Sequence, residues 1–329
     1  MNIVEIKPDT FDELVLSEPN STFFQSSNWA NFYTNLGYNP LYIGYEDEHH
    51  TYQALAMILV EQGASLFNKK AAICPFGFLI NYFDTALLND FIKKLKKFLN
   101  KKNINKLTIN PNVRYSSGKI NNDLLIKNLE KSDFKKTKDN SYYNTEIILI
   151  NEAEKVEDIT IRIRNVDSND GLFVSNTNYN NLNKAMENKA HFIVAELDCE
   201  KTLNKLNKSV ENLSKYIEMH QDDYQYDKKV QTRKIKLEEK QKILFLVNKM
   251  KNEGNYLLAV TCLIEYNNTI TQLFQEFKDA AEVFNTAEIL QEQVLKTITS
   301  LGYDCYDSFT ENTDSVKIDL IGEFTYQVK

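Results

Sequence analysis

Hydrophobic positions are spaced most regularly between Leu197 and Glu253, a stretch of more than fifty residues without a proline or a glycine. Leu203, Leu206, Val210, Leu213 and Ile217 alternate by three and four, which lines them along one narrow seam of a helix. A polar knot from His220 to Asp227 interrupts the pattern, and Val230, Leu237, Leu244 and Val247 resume it. Two helices of about 25 residues, each rising about 1.5 Å per residue, predict an antiparallel hairpin about 40 Å long. The stripes are thinner than the face an ordinary core helix buries. The two halves are therefore expected to pack on each other, as an arm over 199–253 that projects from a globular body.

The body reads as mixed α/β. Before the arm, 10–16, 28–36, 85–99 and 122–131 carry helical patterns, and 41–45, 54–60, 70–74, 107–110 and 145–150 carry strand patterns. This succession predicts one layered domain over 1–151. A weaker strand at 159–163, a helix at 179–186 and a strand at 190–197 lead into the arm. After it, 256–266 and 269–274 predict a hairpin around Asn267-Asn268. A helix at 287–301 and strands near 303–306 and 317–325 complete a second domain, expected over 152–198 and 254–329. The second half repeats the order of the first without repeating its sequence.

Charge sharpens the picture of the arm. The whole chain carries 39 Lys+Arg against 46 Asp+Glu, a net charge of −7. Residues 199–253 alone carry 13 against 9, so a basic arm stands on an acidic body. Such an arm suits a polyanion; a solvated coiled-coil surface has much the same composition. The 19 Phe and 18 Tyr supply ample core. Four scattered cysteines without a C-x-x-C pair suggest neither a disulfide framework nor a zinc site, and fit a reducing cytosol. The N-terminus lacks a signal pattern, and no apolar run nears the roughly 20 residues of a membrane span.

Familiar reaction chemistry is sparse. No G-x-G or G-x-x-x-x-G-K-[ST] occurs, which argues against the common nucleotide-phosphate loops and against CoA held at a helix N-terminus. His49, His50, His191 and His220 show no metal-ligand spacing, so no metal is expected. Asp304, Asp307 and Glu311 could serve as acids, although loop carboxylates near a C-terminus are usually solvated.

Five segments together resemble the FemABX family, bacterial transferases that build peptidoglycan interpeptide bridges from aminoacyl-tRNA. They are Thr22 to Ala30 (TFFQSSNWA), Cys74 to Tyr82 (CPFGFLINY), Leu107 to Tyr115 (LTINPNVRY), 179–197 followed by the arm, and 289–306. The resemblance implies tandem GNAT-like acyltransferase domains with a coiled-coil arm inserted in the second. It implies aminoacyl-tRNA as donor, a lipid-linked or nucleotide-linked muropeptide as acceptor, and no cofactor. It places the protein in the cytoplasm, working without membrane insertion at or near the inner face of the membrane. By the same resemblance Tyr33, Phe76, Gly77, Asn110, Arg114 and Tyr115 are substrate-binding candidates. Lys317 is the catalytic candidate, and Lys228, Lys229, Arg233 and Lys234 are candidate tRNA contacts.

The sequence also departs from the family. The stretch before the arm is short, and only Arg162 and Arg164 stand where a basic segment is expected. Tyr33 replaces a first-helix lysine, Gln275 to Asp279 replaces a glycine-rich turn, and the C-terminal Phe-Lys motif is missing, leaving Lys317 nearest in order. These losses fall on chemistry more than on core, so two other readings stand beside transfer. One is an inactive relative that binds partners or forms a homodimer through the arm. The other is acylation of a different amine without CoA.

Overall fold

The computed structural model describes the chain except at 19–20, 63–68, 116–119, 139–141, 149–151, 167–181, 188, 223, 309–315, 321 and 329; for 120–121, 142–147, 253 and 316–319 it describes the backbone alone. The first half contains β1 (Asn2–Glu5), α1 (Pro8–Leu16), α2 (Ser27–Thr34), β2 (Tyr38–Glu46), β3 (Tyr52–Glu61), β4 (Lys70–Cys74), β5 (Leu79–Ile80), α3 (Thr85–Lys101), β6 (Ile104–Ile109), α4 (Ile120–Lys131), β7 (Phe134–Lys138) and β8 (Tyr142–Ile147). Then come β9 (Ile161–Val166), α5 (Leu182–Ala185), β10 (Ala190–Asp198), α6 (Cys199–His220), α7 (Asp227–Met250), β11 (Asn255–Tyr266), β12 (Thr269–Phe277), α8 (Thr286–Ser300), β13 (Cys305–Ser308), β14 (Val316–Asp319) and β15 (Glu323–Gln327).

These strands form two sheets. One has the order β1-β2-β3-β4-β6-β15-β7, with β5 also paired to β3; the other has the order β14-β8-β13-β12-β11-β10-β9. Sheet membership departs from the expected domain limits. β8, placed before the 151 boundary, pairs with β13 and β14 in the second sheet. The run expected as one strand at 317–325 divides into β14 and β15, and β15 crosses back to lie between β6 and β7 of the first sheet. Each lobe is thus completed by chain from the other half.

The strands nearest the junction are apolar throughout because both of their faces are covered. Along β3, Ala54, Ala56 and Ile58 turn toward the core under α3, while Leu55, Met57 and Leu59 turn to the other side. There they meet α1, α2 and the inner face of the second sheet, including Phe192, Cys262, Ile264 and Leu273. Ile193, Ala195 and Leu263 point away, under α8. The two sheets therefore share one central core, and Trp29 lies in it.

Local signals place the helices around that core. Ser26 caps α2 by accepting the Trp29 N–H, Asp84 caps α3 through the Leu87 N–H, and Asp198 caps α6 through the Lys201 N–H. The Asn267-Asn268 turn has both residues at positive φ, 44° and 60°, as a two-residue hairpin of the primed type requires.

Helices α6 and α7 pair, and the predicted seam is buried where it counts. Leu206, Ile217, Val230 and Val247 are buried, and Val210, Leu213, Leu237 and Leu244 are partly so. The expectation that the halves pack only on each other fails at the base. There Leu206, Val247 and Met250 join Leu258, Ala281 and Phe284 in a core shared with the body. A second departure is Lys240, which occupies a seam position and is 9% exposed. Its ammonium meets the Glu157 carboxylate at 3.2 Å and the Asp158 carboxylate at 2.5 Å. Burial alone would lower its pKa, but those two carboxylates outweigh burial and raise it. Replacing Lys240 by Ala should cost about 1–3 kcal/mol, because Asp158 is left half-desolvated while Glu157 stays in water. Lys240→Met, which refills the seam, should come within about 1 kcal/mol of wild type. Urea midpoints of the two variants measure this difference.

Arg162 and Arg164, the remnant of the expected basic segment, are occupied structurally. Arg164 makes a two-pronged pair with Glu196 at 2.6 and 3.1 Å, and Arg162 meets Asp198 at 2.5 Å. Burial pushes the Asp198 carboxyl up, yet the Lys201 N–H and the Arg162 guanidinium overcome that push and hold it below the usual carboxylate range. A depressed carboxyl stabilises the fold above its unfolded pKa, and the contribution disappears as the pH falls through its folded value. Arg162→Ala should therefore weaken the loss of stability between about pH 5 and pH 2, read from denaturation midpoints across that range.

Candidate functional site

A cleft of about 750 Å³ opens where the first lobe meets the second. Its walls include Thr22, Gln25, Phe76, Phe78, Tyr82, Phe83, Asn112, Arg114 and Asn122 from the first half, and Thr269 and Asp307 from the second. Glu18 and Ser21 also line it. The volume suits a small organic group or the reacting end of a larger molecule.

One turn after β4 shapes this cleft. Gly77 N–H donates to the Cys74 carbonyl, closing a turn with Pro75 and Phe76 at its centre. Phe76 has φ of 53° and Gly77 φ of 74°, both left-handed. Glycine tolerates this, but a phenylalanine there is strained and must be held by its surroundings. Phe24 does so by stacking on Phe76, with ring centres 4.5 Å apart and planes inclined by 5°. The buried Gln25 amide donates to the Phe76 and Gly77 carbonyls at 3.3 and 3.4 Å, and its own oxygen accepts the Thr22 N–H at 3.1 Å. Asn112 N–H donates to the Phe76 carbonyl, which ties the turn to the segment after β6. Leu320, on the strap between β14 and β15, packs against Phe76 and bridges Arg114.

Two ionisable groups here are fixed in their neutral forms. Burial pushes the Cys74 thiol far up, so it is no thiolate nucleophile. Burial, with a smaller push from Cys74, likewise drives the Tyr82 hydroxyl well above its ordinary range, although its acceptance of the Phe78 N–H opposes this. The other polar groups include side-chain amides, the hydroxyls of Ser21, Thr22 and Thr269, the Arg114 cation, and the carboxylates of Glu18 and Asp307. Among the described lining residues, no cysteine or histidine stands ready for a covalent intermediate. The set can bind, orient and neutralise charge.

The residues expected from the sequence divide. Phe76 and Arg114 line the cleft, and Gly77 shapes its turn. Asn110 lies immediately after β6, at the entrance to the segment that carries Asn112 and Arg114. Tyr33 instead packs among Trp29, Phe32 and Tyr38 in the central core, and Tyr115 packs against the core under α3. Lys317 lies on β14, opposite Asn144 at the edge of the second sheet. Of the arm residues, Lys228 and Lys234 are exposed. Arg233 lies 3.7 Å over the Tyr216 ring and Lys229 5.6 Å over Tyr226, with His220 between the two tyrosine rings. Gln25, Asn112, Asn122 and Tyr82 were not singled out from sequence. The Thr22-x-x-Gln25 capping-box spacing was the available signal for Gln25. Among the described residues no cluster suited to a metal occurs, and no helix is long and apolar enough to cross a membrane.

Comparison with known proteins agrees with this geometry. Residues 6–143 match the FemAB family. The fold is similar to the crystal structure of FemX over 100% of this chain and 98% of that one, with a TM-score of 0.63 and 18% identity. It is also similar to a tandem GNAT protein from the clavulanic acid biosynthesis pathway, over 99% and 98% of the two chains, with a TM-score of 0.55 and 6% identity. No curated protein matches the sequence. The tandem GNAT-like, mixed α/β architecture is thereby shown, and the family match is confined to residues 6–143.

Proposed function

Taking the FemAB character of residues 6–143 as its premise, we propose that this chain is an aminoacyltransferase that moves an amino acid from aminoacyl-tRNA to an amine of a peptidoglycan precursor. The supporting observation is the cleft, where the first-half segments that carry the family resemblance meet two residues of the second lobe. The reaction exchanges an ester for an amide, so it needs a neutral amine, an aligned carbonyl and donors for the oxyanion, but no cofactor. Arg114 is the cationic donor along one wall, where the Asn122 amide donates to the Arg114 backbone carbonyl at 3.0 Å. The paired helices form the coiled-coil arm, and Lys228, Lys229, Arg233 and Lys234 at the start of α7 serve as its tRNA contacts through phosphate attraction. In this scheme Lys317 remains the catalytic lysine candidate.

The test is direct. Purified protein, aminoacyl-tRNA carrying a labelled amino acid and a muropeptide with a free amine should give a labelled amide product. Arg114→Ala should reduce that transfer at least tenfold, while Lys228→Ala with Lys234→Ala should mainly raise the KM for tRNA and make its response to salt shallower. Absence of transfer to both nucleotide-linked and lipid-linked acceptors would reject the proposal. The second reading, a module that binds through its arm, draws on the exposed Met219, Tyr224, Ile235 and Phe245. It requires self-association that disappears when those four are made polar.

A further inference from the structure

Positive charge is concentrated on the first lobe, in a region the cleft chemistry does not use. Residues 85–138 carry 14 Lys+Arg against 4 Asp+Glu, a net charge of +10 in a chain whose total is −7. The arm, with 13 against 9, is far less basic. The fold turns much of this excess outward on one surface. Helices α3 and α4 bury Leu88, Phe91, Leu95, Leu125 and Leu129 in the same core over the first sheet, so their opposite sides face solvent together. They run side by side in the same direction, joined by Asn128 to Thr85 at 3.4 Å, Ser132 to Asn89 at 3.5 Å and Lys96 to Asp133 at 2.7 Å. Lys93, Lys97 and Lys101 follow at i, i+4 and i+8 along the outward side of α3, and Lys127 and Lys131 at i and i+4 along α4. All five are exposed and meet no carboxylate among the described residues. Of the four acids, Asp90 and Asp133 are neutralised by Lys94 and Lys96. Asp123 and Glu130 fall opposite Asn128 around α4, on the side turned from α3.

Two apolar side chains complete the surface at its cleft end. Phe83, 57% exposed, precedes the Asp84 cap of α3 and lines the cleft. Leu124, 52% exposed, lies one helical turn before Asn128, next to α3. Asn122, at the start of α4, lines the cleft too. Both helices therefore begin at the cleft and carry their lysines away from it. Cations set behind exposed aromatic and aliphatic tips suit the head-group layer of an anionic bilayer, where ammonium groups meet lipid phosphates and the apolar tips leave water. A nucleic-acid backbone would take the charge but leave Phe83 and Leu124 in water. The five exposed cations are also all lysine, without the arginine forks favoured in nucleic-acid recognition.

We propose that the outward face of α3 and α4 docks on an anionic membrane surface and holds the mouth of the cleft at that surface. Under the aminoacyl-transfer reading, on which this consequence rests, the acceptor is then the lipid-linked precursor. The charge and the geometry stand without that reading. The contact is peripheral, through side chains at the head-group level, so it is reversible and weakens as salt rises.

Flotation of the full-length protein with lipid vesicles tests this without tRNA or acceptor. Wild type should bind vesicles of phosphatidylcholine mixed with phosphatidylglycerol, should not bind phosphatidylcholine alone, and should be released by high salt. A lysine near an anionic surface is worth about fivefold in affinity. Joint replacement Lys93→Glu, Lys97→Glu and Lys131→Glu should therefore lower binding at least about tenfold, at a denaturation midpoint near that of wild type, since all three are exposed. Leu124→Gln should weaken binding without changing its salt dependence, and Lys228→Ala with Lys234→Ala on the arm should leave it in place. No wild-type binding, binding that ignores lipid charge, or binding that survives the triple replacement overturns the proposal. The triple variant should still bind tRNA; loss of tRNA binding there, with the arm variant binding normally, would make the face a nucleic-acid site and overturns it too. In the transfer assay the triple variant should lose about tenfold on a lipid-linked acceptor in anionic vesicles and nothing on a nucleotide-linked one. Equal rates for wild type and triple variant on the lipid-linked acceptor overturn the stated consequence. If wild type transfers nothing yet floats with anionic vesicles through these lysines, the docking face stands and the transfer reading falls.

Discussion

Gly77→Ala should destabilise the first lobe by about 3–5 kcal/mol, combining the cost of a left-handed backbone for an L-residue with that of a collision in a packed site. A Cβ at this position would lie 2.6 Å from the Tyr82 hydroxyl oxygen and 2.7 Å from the Pro111 Cα. The Tyr82 ring cannot withdraw easily, because its oxygen accepts the Phe78 N–H at 2.7 Å inside the core. Pro111 cannot withdraw either, since the backbone around it is tied to the turn through the Asn112 N–H. Relief would come only by opening the turn that carries Phe76, so the cleft should lose its ligands along with stability. Chemical denaturation and the transfer assay read the two effects. A variant that unfolds at the wild-type midpoint would show that the turn is not constrained as described. By contrast, Gly37 and Gly254 meet nothing within 4 Å of an added Cβ, so at those positions backbone strain alone applies.

Trp29→Ala should cost a similar amount, about 3–5 kcal/mol, as expected for deleting a large buried aromatic. The indole is 3% exposed and packs edge-on against Phe23 and Phe24, with ring centres at 5.3 and 5.1 Å. It belongs to the core that both sheets share, so its loss should loosen the junction as well as the first lobe. The indole N–H meets no acceptor among the described residues. Trp29→Phe therefore removes volume without orphaning a partner, and should cost less than half as much. As this is the only tryptophan, wild-type unfolding can be followed by its fluorescence and the variants by circular dichroism. Equal midpoints for wild type and Trp29→Ala would contradict the shared core.

The parts of the structure that sequence reading recovered are those ruled by short-range physics. The seam of α6 and α7, the Asn267-Asn268 turn and the strand β4 follow from periodicity and turn chemistry, and appear within a residue or two of the expected bounds. Strand membership was less visible. That 142–147 joins the second sheet and 323–327 the first is decided by pairing partners about 170 to 220 residues apart along the chain, to which a local pattern is blind. Lys240 shows the same limit in the arm. In sequence it interrupts the apolar seam, and only the fold reveals the two carboxylates that make it tolerable there.

The cleft was legible through its strained turn and its arginine. Phe76, Gly77 and Arg114 stand in segments with proline or glycine signals and resemble a family pattern. Tyr33 and Tyr115 stand apart from these three, because an aromatic residue near such a segment also serves packing, and each packs against a core cluster. Asp307 was visible as a carboxylate but not as a wall of the cleft. Its place there depends on which face of β13 it occupies, opposite to Tyr306, which packs under α8. Glu18, Asn112 and Asn122 carry no signal of their own and become site residues only by position.

The account turns on whether the space between the lobes is where the acceptor binds. A crystal structure of the protein with a nucleotide-linked muropeptide tests this most directly. The account predicts density in the cleft, with an anionic or carbonyl group at Arg114. Density on the arm or on the outer face of the second sheet, with the cleft empty at saturating ligand, would contradict it.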